Sequence, residues 1–599
     1  MVDLQQQVKF AAQKVAELAR KLPSFGPGDG PLAIVTTRKN GFALARAWAA
    51  GNPGDGNLQQ AFAQLAKGLT GKGAVEALQI ELGHSARTTP PGSITPRLAA
   101  IHTGMRGIAL AKGGKLLAAT GPAEMIATNK PLREALDDLL AQHGLTLENI
   151  ASGAAEVITF ESAQILVNLV PPNLTPLYRG SALVEPKAVD RAGVTAFADR
   201  LATWLINQVD KTGRVTYEFH PSTGEEAPTD NTVRQALATL CLARIANRSK
   251  KPEDREVAER NLGYFIRHHY RTEGEFGIVS EVDLIDGADL GAGQPGAATP
   301  TPEGKEPKLG AMAILALTLL ERPKVKPFEK PLAALVATTK HLQQKDGSFR
   351  THFGVTDRDD NQNFYPGETL LLWATALRMK SPLIDAETYL KSARYYRSFF
   401  KKKPSPAFIP WHTQAHVVAL ESIEAPDLVK FVFEMNDWLV DLQQWQGAPY
   451  PDIAGRFYDP KRKTLGSAHA SATGVYLEGL IDAYELARRS GEAARADRYR
   501  LTILRGLRNL MQLQFKSPEE MFYVNRPERV LGGIRTEVYD NRIRVDNVQH
   551  ALMGTQRILA RFDAAAFAWP GADRAKAPPA AKRPIKAWQA AALKRNPSK

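Results

Sequence analysis

The stretch Thr212–Phe219, TGRVTYEF, decides the fold of most of this chain. It reads as a short hairpin with a glycine and aromatic residues, placed between an amphipathic helix pattern and a more apolar one. The same order returns along the chain, with hairpins that begin near Glu273, Asp346, Pro406, Gly447 and Met521. A helix pair cannot bury its apolar stripe alone, so tandem pairs predict an all-α (α/α)6 toroid over residues 190–562. Each inner helix starts with polar residues, which predicts that they surround a common mouth.

The first 185 residues have a different pattern, in which short apolar strands alternate with helices. An Asn-Gly turn at 40–41 joins LAIVTT to FALARAW, which is a strong hairpin signal. Further strands are expected at 77–82, 106–112, 115–120 and 155–162, and helices at 1–22, 57–68 and 131–143. We therefore expect an α+β accessory domain over residues 1–185 that ends in a Pro-rich linker at 171–177.

The order of these elements around VTTRKNG, residues 35–41, resembles the AMMECR-like family of small α+β domains. In that family the strand after the turn continues into a Leu-Arg-Gly-Cys-Ile-Gly motif, whereas here residues 42–48 read FALARAW. The resemblance therefore implies a fold and no activity.

The amino-acid composition limits which kind of protein this chain can be. The chain has 599 residues, of which 44% are hydrophobic and 23% charged, as expected for a globular protein with more than one domain. Its single cysteine, Cys241, lies in an apolar helix pattern, which excludes a disulfide framework and a thiolate metal site. The N-terminus lacks the apolar run of a secretory signal, and no segment is apolar for long enough to span a membrane. We expect a cytoplasmic protein.

Much of the formal net charge of +14 comes from the C-terminal segment of the chain. An Ala/Pro/Lys-rich tail, residues 563–599, cannot form a core and is predicted to be disordered. A basic tail can touch acidic surfaces, but a solvated, non-specific segment is the favoured interpretation, and no specific nucleic-acid partner is expected.

Polar side chains at the start of the first and third inner helices are candidate site residues. Asp230 and Asn231 are typical N-cap residues, while Arg234, one turn further, has the planar fork that suits a carboxylate or phosphate. In the third inner helix, Tyr365 can stack, hydrogen-bond or transfer a proton, and Glu368 can complement the helix dipole or act in catalysis. Structural roles stay open for Asp230 and Glu368.

The fourth and fifth repeats add aromatic, imidazole and guanidinium groups. His412 and His416 have the i, i+4 spacing of the zinc ligands in His-Glu-x-x-His metalloproteases, but the glutamate is absent and no third ligand is evident. No metal and no cofactor are expected, and sugar contact, proton transfer and core packing stay open for both histidines. Trp411, Arg456 and His469 are candidates for binding substrate.

The sixth repeat has the highest density of ionisable side chains. Arg544, Asp546 and His550 share one loop-to-helix junction, and the i, i+4 spacing of Asp546 and His550 permits a hydrogen bond that would fix the imidazole tautomer. Glu478, deep in the fifth inner helix, is expected either to pair with an arginine or to act as an acid with a raised pKa.

Four segments together resemble the helical toroid of the D-glucuronyl epimerase family over residues 195–562: TYEFHPSTGE, DNTVRQA, YPGET, and the stretch from GGIR to RVDNVQH. The resemblance extends to sugar 2-epimerases and six-hairpin glycosidases. It implies an acidic sugar in the mouth, with the sugar carboxylate held by arginine while tyrosine or histidine moves a proton at the neighbouring carbon. The positions that match these roles are Arg234, Arg544, Tyr217, Tyr365 and His550.

Three functions remain open. Epimerisation, the leading hypothesis, needs two acid/base groups on opposite sides of the ring, for which Tyr365 and His550 are candidates. Glycoside hydrolysis needs two carboxylates, and Asp230, Glu368 and Asp546 are available. A glycan- or peptide-binding module needs only aromatic and polar contacts at the mouth. The expected partner is a sugar or an acidic glycan.

Overall fold

A computed structural model of the chain describes residues 32–50, 59–61, 63–64, 75–91, 94–99, 101–169, 172–280 and 307–571. The chain divides into two compact units. The sheet unit comprises Met1–Leu183, Glu218–Pro228 and Gln514–Arg544, and the helical unit comprises Val184–Tyr217, Thr229–Leu513 and Val545–Lys599. The fold class is confirmed: a region with a sheet precedes an all-helical one. The helix expected at 1–22, most of that at 57–68, and the tail after residue 571 lie outside the described residues.

Seven antiparallel strands of the described residues form the main sheet of the sheet unit. They are β1 Leu32–Lys39, β2 Phe42–Ala49, β3 Ala77–Thr89, β4 Gly107–Lys112, β5 Lys115–Thr120, β6 Glu156–Leu169 and β7 Pro172–Leu177. Their order is β2-β1-β3-β6-β4-β5. The long strand β6 pairs with β3 along one side, and with β4 and then β7 along the other.

Short helices cover part of this sheet. They are α1 Ile94–Ala99, α2 Pro122–Thr128, α3 Leu132–Gln142 and α4 Leu147–Ala151. Leu136 and Leu140 of α3 are buried in one cluster with Ile108 and Leu110 of β4. The strands predicted from sequence are present. Residues 172–177, expected as a linker, instead form β7, because a strand that pairs on one side only tolerates proline.

A smaller sheet in the same unit joins residues far apart in sequence. It consists of β8 Glu218–His220, β9 Glu225–Glu226 and β12 Ile543–Arg544, in the order β12-β8-β9. The end of the first hairpin and the sixth hairpin therefore group with the sheet unit, although the sequence pattern assigns them to the toroid range. Local periodicity carries no signal for a pairing over such a separation.

The helical unit is built around a ring of inner helices. Among the described residues these are α6 Thr232–Ser249, α8 Leu309–Leu320, α10 Tyr365–Arg378, α12 Ile409–Ala419, α14 Ala470–Arg489 and α16 Val545–Arg561. Each packs on the next, and α16 packs on α6, so the ring closes. Every residue of α8 is buried, as expected for a helix that is apolar all round.

Outer helices alternate with the inner ones along the chain and pack against them. They are α5 Arg191–Asn207, α7 Pro252–His269, α9 Glu329–His341, α11 Ala386–Lys402, α13 Pro426–Val440 and α15 Ala493–Leu513. A two-stranded hairpin, β10 Tyr270–Glu273 with β11 Phe276–Val279, follows α7. The outer helices present one apolar face inward: α11 buries Tyr389, Ala393 and Tyr396 and exposes Lys401 and Lys402.

Glycines in three of the hairpins lie directly against the next outer helix. Gly213, Gly347 and Gly455 all have positive φ, and a Cβ atom at any of them would lie 2.0 to 2.6 Å from a backbone carbonyl oxygen of that helix. Ser392 donates a hydrogen bond to the carbonyl oxygen of Gly347 at 2.7 Å, and Asn261 does the same to Gly213 at 2.8 Å. Three of the glycines in the hairpins are thus close-contact points, whereas Gly447, which begins the fifth hairpin, has no atom of the described residues within 4 Å of a Cβ position.

The helical unit continues beyond α16. Residues 563–571, which the sequence pattern assigns to the tail, include the buried Trp569, whose ring stacks on Trp445 with centroids 5.7 Å apart.

Candidate functional site

The starts of the inner helices lie together at one end of the ring, which we call the mouth. Contacts between early residues of neighbouring helices establish this arrangement. Arg234 of α6 reaches Asp546 of α16, Gly310 of α8 faces Tyr365 and Glu368 of α10, and Gly367 of α10 faces Trp411 of α12. Gly474 near the start of α14 packs on His550 of α16.

Arg234 joins two of the predicted site residues. Its Nε lies 2.9 Å from Oδ2 of Asp546, and one terminal nitrogen donates to the hydroxyl of Tyr217. The Asp546 side chain is 6% exposed and the Arg234 side chain 31%, so the carboxylate is buried beneath a guanidinium that still faces solvent. The predicted pairing of Asp546 with His550 is replaced by this ion pair between α16 and α6.

Glu368 is a buried acid at the start of α10. Burial raises its pKa to about 8, so this carboxyl group is protonated at neutral pH. Its Oε2 has no hydrogen-bond partner among the described residues. A Cβ at Gly310 would lie 2.2 Å from this oxygen and 2.4 Å from the Tyr365 ring, so only glycine leaves room for both side chains. Sequence offers one signal for Gly310, a glycine at the start of an otherwise apolar helix.

His550 is held by a glutamate from the neighbouring helix. Its Nδ1 lies 2.7 Å from Oε1 of Glu478, which is fully buried on α14. The Trp411 ring packs edge-on against the imidazole, with centroids 6.0 Å apart. A carboxylate on Nδ1 fixes the tautomer and leaves Nε2 as the nitrogen that can exchange a proton. Glu478 therefore has a histidine as its partner, and Arg557 donates only to its backbone carbonyl.

Three further predicted residues shape the starts of helices. Asn231 is the N-cap of α6 and accepts from the backbone N–H of Arg234 at 3.1 Å. Asp230 is exposed and accepts from the side chain of Gln235 at 2.9 Å. His469 is the N-cap of α14, where its Nδ1 accepts from the backbone N–H of Ala472. These hydrogen bonds hold the starts of the inner helices in place, and both partners of each bond belong to the helical unit.

His412 and His416 of α12 pack against aromatic residues of outer helix α11. His412 stacks on Phe408 with centroids 3.6 Å apart, and the hydroxyl of Tyr389 on outer helix α11 lies 2.8 Å from Nδ1 of His416. Both imidazoles are fully buried, and burial lowers the pKa of His416 to about 3 and that of His412 well below its usual value. Both histidines are neutral and are packed between the inner and outer layers of helices. Their neighbour Trp411 instead contacts His550.

The two remaining predicted residues belong to segments outside the inner helices. Arg456 lies in the hairpin between α13 and α14, is 5% exposed, and donates to the side chain of Gln444 at 2.9 Å. Arg544 belongs to β12 of the sheet unit, where its backbone pairs with Glu218.

Within the residues that the structure describes, no group of three or more His, Cys, Asp or Glu side chains is arranged to hold a metal ion. In the same ranges, no helix combines the length and the hydropathy needed to cross a bilayer.

No family model matches this chain, and no curated protein matches it. Among solved structures, an unsaturated glucuronyl hydrolase specific for heparin is similar at 11% identity and a TM-score of 0.40, covering 61% of this chain and 96% of that chain. An alpha-1,6-mannanase from Salegentibacter sp. shows 10% identity and a TM-score of 0.40, covering 61% and 98%. An uncharacterized protein from Pyrococcus horikoshii shows 16% identity and a TM-score of 0.21, covering 28% and 95%. Scores this low assign no activity to this chain.

Proposed function

We propose that the helical unit is a glycan-acting enzyme, that its reaction takes place at the mouth, and that this reaction is glycoside hydrolysis. The observation that carries the proposal is a difference between two carboxyl groups. Glu368 has a pKa raised to about 8 by burial and keeps its proton at neutral pH, whereas Asp546 is ion-paired with Arg234 at 2.9 Å. Hydrolysis of a glycosidic bond requires a protonated acid and a charged carboxylate, and these two residues lie at the starts of inner helices α10 and α16.

In the proposed reaction Glu368 is the general acid and donates its proton to the leaving oxygen of the glycosidic bond. Asp546 acts on the other side of the sugar, either as the nucleophile or as the base for a water molecule. Arg234 holds Asp546 in place, and its exposed part offers a cation to an acidic sugar. The acid must be protonated to act, so activity is expected to fall as the pH rises through about 8.

The test is release of reducing ends from acidic and neutral oligosaccharides by the parent, Glu368→Gln and Asp546→Asn. Glutamine reproduces the neutral, protonated form of Glu368, so this variant is expected to fold and to lose activity by at least about a hundredfold. Matched controls are Glu253→Gln, an exposed first-turn glutamate of α7, and Asp385→Asn, the exposed N-cap of α11. Equal rates in the parent and both mouth variants would rule out this assignment.

A second function, epimerisation, is favoured by one observation. The Glu478–His550 pair, at 2.7 Å, leaves Nε2 to abstract a proton, and Tyr365 is available to return one from α10. Incubation in deuterated water separates the two reactions. Deuterium that enters a sugar ring carbon without cleavage, and that is lost in His550→Gln, would favour epimerisation. Binding without cleavage or exchange across the panel would favour a glycan-binding module.

A further inference from the structure

The ring has a cavity at the end opposite to the mouth. Its volume is about 340 Å³, and it is lined by residues from five inner helices and by Glu321, which directly follows α8. These residues come mainly from the C-terminal parts of the helices, so we call it the rear cavity. Five of its lining residues are arginines: Arg244, Arg248, Arg378, Arg557 and Arg561. Its size is within the range of small-molecule sites.

The carboxylates around the rear cavity are too few to neutralise these arginines. The acidic lining residues are Glu321, Glu421 and Asp482, so five guanidinium groups face three carboxylates. Cationic side chains at helix C-termini commonly complement the helix dipole. That effect favours one cation near each end and does not require several arginines to converge on one enclosed space.

The ion pairs show which arginines carry the excess positive charge. Arg244 forms a two-pronged pair with Glu321, at 2.8 and 2.7 Å, and these two charges cancel. Asp482 is shared by Arg557 and Arg561, which leaves one positive charge over.

Two arginines at the rim of the cavity, Arg248 and Arg378, lack a close carboxylate partner among the described residues. Arg248 donates to the backbone carbonyl of Gln556 at 3.3 Å and has no carboxylate partner within the described ranges. Arg378 approaches Glu421 only to 4.0 Å. Both are exposed, so an incoming ligand can reach them without displacing a strong ion pair.

A buried hydrogen-bond donor without an acceptor in the described segments accompanies the excess of positive charge. Gln414, 1% exposed, accepts from Arg557 through its oxygen, while its Nε2 has no acceptor among the described residues. Burial lowers the pKa of Arg557, as do the nearby Arg561 and Arg244, whereas Asp482 and Glu478 oppose this shift. The cavity therefore lacks negative charge and hydrogen-bond acceptors.

We propose that the rear cavity binds a small multivalent oxyanion, a phosphate or carboxylate compound, through these arginine side chains. Phosphate and carboxylate groups supply both the missing charge and the missing acceptors, and guanidinium forks bind them with two parallel hydrogen bonds. The site is separate from the proposed catalytic mouth, and the ligand is an effector or a stabilising ion.

The test uses the full chain and two probes, pyrophosphate and citrate, titrated by calorimetry at constant ionic strength. Binding to the parent is expected to weaken about tenfold or more in Arg248→Gln and in Arg378→Gln, each of which removes a charge-assisted contact. Both residues are exposed, so the variants are expected to fold. Arg394→Gln, an exposed arginine of outer helix α11, is the matched control and is expected to bind like the parent.

Other results would overturn the proposal. Absence of heat with both probes would do so, as would parent-like affinity in both rear-cavity variants. Binding that is lost in Arg234→Gln and kept in Arg248→Gln would place the anion at the mouth. Preference for pyrophosphate over citrate, or the reverse, identifies which oxyanion the cavity takes.

Discussion

At the scale of single residues, two buried glutamates of the inner helices differ in their partners. One oxygen of Glu478 lies 2.7 Å from His550, while Glu368 faces the glycine of a neighbouring helix. In the described part of the chain, each glutamate also has an Oε2 without a hydrogen-bond partner. A buried carboxyl group without a cation keeps its proton, because the charged form has lost its hydration. The protonation state of Glu368 therefore links stability to pH.

The first prediction concerns that link. Because folding raises the pKa of Glu368 from 4.5 to about 8, its contribution to stability is complete below pH 4.5 and is lost as the pH rises through about 8. Glu368→Gln should therefore gain stability relative to the parent over this range, by a few kcal/mol at most, measured as the free energy of unfolding in urea. The exposed Glu253→Gln should show no such trend. A difference between parent and Glu368→Gln that stays flat with pH would contradict the burial of a protonated acid.

The second prediction concerns the single thiol. Cys241 is fully buried on α6, its Sγ lies 3.9 Å from a backbone oxygen of Gln549, and burial raises its pKa. A thiol reagent should therefore leave the folded protein unlabelled and label one thiol per chain in concentrated guanidinium chloride. Ser249→Cys, exposed at the end of the same helix, gives the positive control. Fast labelling of folded parent protein would show that Cys241 is accessible.

At the scale of elements, the sequence marks the loops between helices, although the hairpin expected near Pro406 is only a short turn between α11 and α12. It predicts the orientation of helix faces poorly. Glycines such as Gly213 and Gly347 mark the hairpins because no other residue fits against the next outer helix. The i, i+4 spacing of His412 and His416 correctly places them on one helix face. Spacing alone does not say whether that face meets the mouth or the outer layer, since both layers are apolar around α12.

The third prediction tests the hairpin contacts. Gly347→Ala places a Cβ 2.6 Å from the carbonyl oxygen of Lys391 at φ +94°, whereas Gly447→Ala meets open space at φ +89°. Both variants are expected to lose roughly 1–2 kcal/mol in the free energy of unfolding, because alanine disfavours a left-handed backbone. Gly347→Ala is expected to lose about 1–3 kcal/mol more, because its Cβ clashes with α11. The comparison is the urea midpoint of each variant. Equal midpoints would mean that the hairpin moves away from α11 without cost.

At the scale of the whole molecule, stability and site both depend on contacts between distant residues. Arg234 meets Asp546, and Glu478 meets His550, only because the ring brings α6, α14 and α16 together. The sequence predicts Asp546 and His550 as site residues but pairs them with each other, since only their local spacing is visible. The rear cavity is hidden for the same reason, because its arginines and acids read as separate charges on separate helices.

The fourth prediction concerns the packing of neighbouring inner helices. Gly474→Ala on α14 places a Cβ 2.7 Å from a backbone nitrogen of α16, which cannot move aside. Gly263→Ala on outer helix α7 meets only the end of the Arg267 side chain at 3.2 Å. We expect Gly474→Ala to lose about 1–3 kcal/mol and Gly263→Ala to be neutral or to gain up to about 1 kcal/mol from helix propensity. Helix melting followed by circular dichroism measures both, and a reversed order would contradict the close approach of α14 and α16.

The closure of α16 onto α6 has a further consequence, for how the helical unit comes apart. An open array of helix pairs frays from its terminal pairs, each of which has one neighbour. In a closed ring every pair has two neighbours, so the first pair to detach must break two interfaces at once, wherever it lies along the chain. Backbone amides of the inner helices should then exchange with deuterium at similar slow rates, with no gradient from the middle of the unit towards α6 or α16.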